Sequence, residues 1–203
     1  SSSAEYYTGA GSWNSNGNVV EFYIDPTAAP YNLGAITVSQ IESVSYQTRN
    51  GATASVDFGF YIYTLGTKYG WYEERLVSEP QYSNSYNAPA DQWNTWATDT
   101  GENQLVFYDD HYTSIGFYNG PTLANITAGP LTWSDYDGTY NTPIDYSTQT
   151  VKFFKFGTGS AWAAGFNGYL DTITIDLTTG ESLVIELEDY LPVVYVDDDW
   201  SSV

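Results

Sequence analysis

Two classes of residue stand where they could do chemistry: carboxylates set in or beside apolar runs, and aromatic rings interleaved with short amides and hydroxyls. Asp171 leads the first class. In Gly168–Leu177 it shares alternation parity with Ile173, Ile175 and Leu177, the face expected to meet a core. A carboxylate aimed inward costs several kcal/mol unless something compensates it. Three compensations are open: a bound cation, an arginine (Arg49 or Arg75), or N–H groups of a loop at a half-exposed strand end. A cation would be calcium, because the ligands on offer are carboxylate, amide and carbonyl oxygens. Asp109-Asp110 and Asp135-Tyr136-Asp137-Gly138 are further candidate calcium loops. The second sets Asp135 and Asp137 two apart before a glycine, without the later acidic ligand of a full loop pattern. In so acidic a chain, solvated Asp-rich turns have the same appearance.

The rings form the second class. Tyr69-Gly70-Trp71-Tyr72, Trp93-Asn94-Thr95-Trp96 and Trp162 place tryptophan beside Asn, Thr and Glu. Rings stack on the apolar C–H faces of pyranoses while amides and carboxylates hold the hydroxyls, so this composition suits a glycan. The candidate contact residues are Trp71, Tyr72, Asn94 and one of Trp93 or Trp96. Those two have opposite parity, so in a regular strand one faces the core and the other does not. Tyr61 and Tyr63 add rings on the second face of Ser55–Thr64, opposite Val56, Phe58, Phe60 and Ile62; packing beneath a loop would use them equally well. A small aromatic ligand or pigment would also suit these rings, which keeps a chromoprotein-like carrier open as an alternative.

Catalytic arrangements are poor. A Ser-His-Asp triad could draw only on His111, the sole histidine, and no Gly-x-Ser-x-Gly elbow occurs. Glu73-Glu74, or Glu186 with Glu188, could supply the carboxylate pair of a polysaccharide hydrolase or lyase. Glu186 and Glu188, however, share the outward parity of a strand whose other face carries Leu183, Ile185 and Leu187. With no cysteine there is no disulfide, thiolate nucleophile or Cys-ligated metal. Five Lys+Arg against 25 Asp+Glu leave a net charge of −20, which excludes nucleic acid and an anionic membrane surface as partners.

The elements that must position these residues are strands. Alternation predicts them over Val19–Ile24, Ile36–Tyr46, Ser55–Thr64, Tyr69–Val77, Gln92–Ala97, Gln104–Tyr108, Gln149–Phe156, Gly168–Leu177 and Glu181–Glu188, with one helical turn in Pro121–Ala128. Turn-rich pieces such as Arg49-Asn50-Gly51-Ala52 and Asp135–Thr142 separate them. Nine strands without βα alternation imply an all-β, antiparallel β-sandwich of jelly-roll type with little helix. The 203 residues fit a single domain, with residues 190–203 as an acidic C-terminal tail. A start at Ser1-Ser2-Ser3-Ala4, the sequon Asn125-Ile126-Thr127 and a lysine-poor composition suit a secreted, extracellular protein.

Val151–Glu188 carries a further pattern. Phe153-Phe154-Lys155-Phe156-Gly157-Thr158-Gly159-Ser160-Ala161-Trp162 leads to Gly165-Phe166-Asn167-Gly168-Tyr169-Leu170-Asp171-Thr172-Ile173-Thr174-Ile175. This resembles the closing strands of secreted jelly-roll and concanavalin-A-like sandwich domains, and Leu123-Ala124-Asn125-Ile126 is similar to their short helical turn. The resemblance covers under half of the chain. It implies a carbohydrate-binding, lectin-like module, with a structural calcium near the closing-strand carboxylate, here Asp171. Asp176, a further hairpin and the segment Pro192–Val203 depart from the pattern. The expectation is a non-catalytic protein that binds an extracellular glycan.

Overall fold

Alternating β-branched and aromatic residues bury one side of an extended chain, and two such faces closing on each other make the core. In the computed structural model this produces an antiparallel β-sandwich. The structure describes residues 11–17, 19–51, 56–65, 75–83, 86–99, 101, 103–109, 120–134, 141–159 and 166–187. Trp71, Tyr72, Glu73, Glu74, Asp110, His111, Asp135, Asp137, Trp162 and the 190–203 tail lie outside the described residues.

The first sheet contains β1 (Trp13–Asn14), β3 (Ile41–Asn50), β6 (Trp93–Ala97), β11 (Gly168–Leu177) and β12 (Ser182–Ile185), in the order β1-β11-β3-β6 with β12 also pairing β11. The second contains β2 (Glu21–Ile24), β4 (Gly59–Thr64), β5 (Arg75–Ser78), β7 (Tyr108–Asp109) and β10 (Val151–Gly157), in the order β2-β10-β4-β5-β7. A separate hairpin pairs β8 (Leu131–Ser134) with β9 (Asn141–Ile144). The one α-helix among the described residues, α1 (Leu123–Thr127), is short. No helix among them is long and apolar enough to cross a membrane.

Rings join the two layers. Tyr46 of β3 meets Phe156 of β10 edge-on, centroids 5.3 Å apart, and its hydroxyl donates to the Phe58 carbonyl at 2.7 Å. Phe60 stacks on Phe156 at 4.9 Å. Phe60 and Ile62 of β4 are fully buried on one parity, and Phe58, just before the strand, is fully buried with them. On the far side Leu170, Ile173, Ile175 and Leu177 complete the same core.

Several boundaries differ from expectation: β1 and β8 lie outside the expected strands, the strand expected over Gln104–Tyr108 is only Tyr108–Asp109, and other shifts have a visible cause. Ile36–Tyr46 opens with a 3-10 turn at Val38–Gln40, because Thr37 and Gln40 bond each other's backbone and hold the chain in a turn before β3 begins. The strand then runs on through Arg49 and Asn50, expected as a turn, since both pair with β11. Asn141 and Thr142, expected in a loop, form β9. Asn125 of the sequon, the third residue of α1, accepts from the backbone N–H and hydroxyl of the N-cap residue Thr122, closing a capping box.

Gly120 marks a close approach: a Cβ there would lie 2.0 Å from the Phe107 carbonyl oxygen, inside the segment whose Phe107 N–H donates to the Pro121 carbonyl. Gly120→Ala is therefore expected to lower stability by about 1–3 kcal/mol through backbone displacement. Urea unfolding checks this, and an unchanged midpoint would contradict it.

Candidate functional site

Asp171 is fully buried, but its shared parity with Ile173 does not explain this: its ladder partner is Gln47, next to the Tyr169–Arg49 pair, and a bulge separates it from Ile173. The β11–β3 register shifts between Asp171 and Thr174, and Thr172 takes φ +39°. Leu170 and Ile173 on either side both remain in the core. One carboxylate oxygen accepts the Thr172 N–H at 2.7 Å and the Leu187 N–H at 3.3 Å. Backbone N–H groups, one of the three compensations open in the sequence, are therefore present at this carboxylate. The strand end expected for such donors is instead a mid-strand bulge, fully buried. Arg49 bonds Asp91, and Arg75 bonds the Tyr63 hydroxyl.

Asp109, on β7, is also buried, and its carboxylate accepts from the Tyr146 hydroxyl. Among the described residues no group of three or more His, Cys, Asp or Glu could hold a metal ion. An open cleft of about 320 Å³ has Glu42, Asp99, Asp176 and Glu181 in its lining, where Ser43 and Ser182 hydroxyls donate to Asp176 at 2.8 and 2.6 Å. Glu186 accepts from the Thr172 hydroxyl at 3.1 Å.

The opposite parity of Trp93 and Trp96 resolves clearly. Trp96 faces the core, fully buried, stacked on Tyr86 at 5.6 Å, with its indole N–H donating to the Thr48 hydroxyl at 2.7 Å. A sealed ring cannot stack on a sugar, so Trp96 leaves the candidate set. Asn94 leaves with it, because it shares the inward face and is buried. Trp93 points the other way and is half-buried.

Register then assembles what the sequence could not. On the outer face of the first sheet Trp93 lies directly opposite Arg49, Arg49 opposite Tyr169, and Tyr169 opposite Asn14. Residues opposite each other in a ladder share a face, so four strands contribute one row: Asn14, Tyr169, Arg49, Trp93. The guanidinium carbon of Arg49 sits 5.7 Å from the Tyr169 ring centroid, and its Nη2 donates to Asp91 at 2.9 Å. Tyr169 and Trp93 are half-buried, and Arg49 between them is buried. Two strand spacings, about 10 Å, separate their backbones. One rung along, Thr95 donates to Gln47 at 2.7 Å. Tyr169 and Arg49 were not among the expected contact residues, and neither strand taken alone signals them.

Tyr61 and Tyr63 stand on the outer face of the second sheet, where they form a second cluster with Val77 and Tyr108. Lys155 lies 3.8 Å from the Tyr61 centroid and bonds Glu21 at 2.7 Å. Both tyrosines are buried, at 7% and 2% exposure, so they pack rather than present an open platform. Burial first, and then the Glu79 carboxylate nearby, push the Tyr61 phenol well above its ordinary value.

Beneath the row lies a buried acid that parity placed wrongly. Alternation over Ser55–Thr64 would set Asp57 on the Tyr61 face, but β4 starts only at Gly59, and Asp57 turns inward before it. It accepts from the Thr48 hydroxyl at 2.7 Å, the Asn50 amide at 3.2 Å and the Phe58 N–H at 2.8 Å. Thr48 and Asn50 flank Arg49 in β3, so this inner network and the outer row share a strand. Burial outweighs those donors and raises the Asp57 carboxyl to about 7. Compared with protein-family models, with curated proteins and with solved structures, the chain matches none.

Proposed function

We propose that this is a non-catalytic, secreted, lectin-like protein that binds an extracellular glycan across the outer face of its first sheet. The observation that carries the reading is the row Asn14–Tyr169–Arg49–Trp93, in which two half-buried aromatic residues flank an arginine. Rings supply the apolar stacking surface, exposed Asp91 and half-buried Asn14 offer groups to hydroxyls, and Arg49, largely buried between the rings, backs Asp91. Such a row runs across the strands, so a polymer would lie perpendicular to them. Jelly-roll connectivity belongs to the same proposal; it is supported by successive strands changing sheet at β3–β4, β5–β6 and β10–β11.

Affinity electrophoresis through gels containing plant, fungal and algal polysaccharides tests it. Wild-type protein is expected to be retarded by at least one polymer. Trp93→Ala and Tyr169→Ala are each expected to weaken that retardation about tenfold, the loss of one ring contact worth ~1.5 kcal/mol. Both variants should still unfold cooperatively, since neither ring belongs to the core. Retention unaltered in both would overturn this face as the site.

A further inference from the structure

The row also bears on which glycans it would take. Resting on the glycan reading above, we infer that the site selects uncharged polymers, and that Asp91 is the residue that refuses acidic ones. Arg49 is the cation of the row, and an arginine beside a ring is otherwise a good seat for a carboxylate or sulfate. Here Asp91 already occupies that role. Its carboxylate sits 2.9 Å from Nη2, and its side chain is 67% exposed against 10% for Arg49. An approaching anion therefore meets the carboxylate before the guanidinium it neutralises. In the row and next to it, Asn14, Gln47 and Thr95 carry no charge, and the acidic groups farther along the same ladders, Asp171 opposite Gln47 and Asp176 opposite Ser43, are carboxylates rather than cations. A net charge of −20 adds long-range repulsion against any polyanion. For a hydroxyl the same pair is an asset: the carboxylate accepts while the guanidinium, which has five donors, gives.

Asp91→Asn tests this without disturbing the turn. Asp91 sits at φ +58° and donates its N–H to the Asn50 carbonyl, and asparagine adopts that backbone region as readily as aspartate. Wild type, Asp91→Asn and Arg49→Gln would be run through gels containing neutral β-glucan, xylan or mannan, and through gels containing polygalacturonate or alginate. Wild type is expected to be retarded in a neutral gel and to migrate freely in both acidic ones, with little change when NaCl rises from about 0.05 to about 0.5 M. Asp91→Asn is expected to acquire retardation in an acidic gel, by about fivefold for the one arginine charge it unmasks, and to lose it at the higher salt. Arg49→Gln should acquire none. Wild-type retention in an acidic gel, or Asp91→Asn indistinguishable from wild type there, overturns the charge selection while leaving glycan binding in place. Free migration of wild type in every gel overturns both.

Discussion

Asp171→Ala is expected to be among the most damaging single substitutions in the protein, lowering stability by about 3–5 kcal/mol. The carboxylate is fully buried, and it holds the N–H groups of Thr172 and Leu187 together. Alanine would strand both donors away from water, each costing roughly 1–3 kcal/mol. It would also release the bulge, where Thr172 sits at φ +39°, a backbone region that a β-branched residue holds only under constraint from its surroundings. Leu187, buried against the core, would lose the bond that fixes its backbone beyond β12. Asp171→Asn keeps a carbonyl oxygen in place and should cost clearly less. Urea unfolding of the three proteins decides the matter: a loss under about 1 kcal/mol for alanine would mean that those N–H groups find other partners.

The second large effect is a dependence on pH traced to one side chain. Burial raises the Asp57 carboxyl from 3.8 to about 7 in the folded protein. Between those values the unfolded chain has released the proton while the folded chain still holds it. The stabilisation is therefore fully present below the unfolded value, declines as pH rises, and is lost above about 7. About three pKa units correspond to ~4 kcal/mol. Other carboxylates in a chain of net charge −20 also respond to pH, so the informative quantity is a difference. Asp57→Asn stays neutral throughout, and the stability of wild type relative to this variant should fall by ~4 kcal/mol from about pH 4 to about pH 8. Parallel stability curves would show that Asp57 titrates normally. Because Asp57 bonds Thr48 and Asn50 on either side of Arg49, ligand affinity measured across the same range would report whether the inner network reaches the outer row.

Much of the architecture is local information. Alternation in Gly168–Leu177 and in Ser55–Thr64 marks the inward residues because side chains of an extended strand alternate by geometry, whatever the neighbouring strand does. The short helical turn is legible for the same kind of reason, since Thr122 and Asn125 cap it within four residues. The opposite faces of Trp93 and Trp96 follow from their spacing of three. Which of the two faces inward does not follow, because that depends on the sheet lying behind β6.

Two residues show how parity misleads at strand edges. Asp57 lies two positions before the first hydrogen-bonded residue of β4, so the alternation that assigns Tyr61 no longer governs it. Asp171 is buried, but a bulge breaks the parity it shares with Ile173 in the sequence, and its carboxylate accepts backbone N–H groups there. Composition and alternation by themselves determined an acidic, cysteine-free β-sandwich with rings to spare. Tertiary structure alone decided that Trp93, Arg49 and Tyr169 share one row, because ladder register between β3 and β11, more than a hundred residues apart, arises from how two complete faces close over a common core.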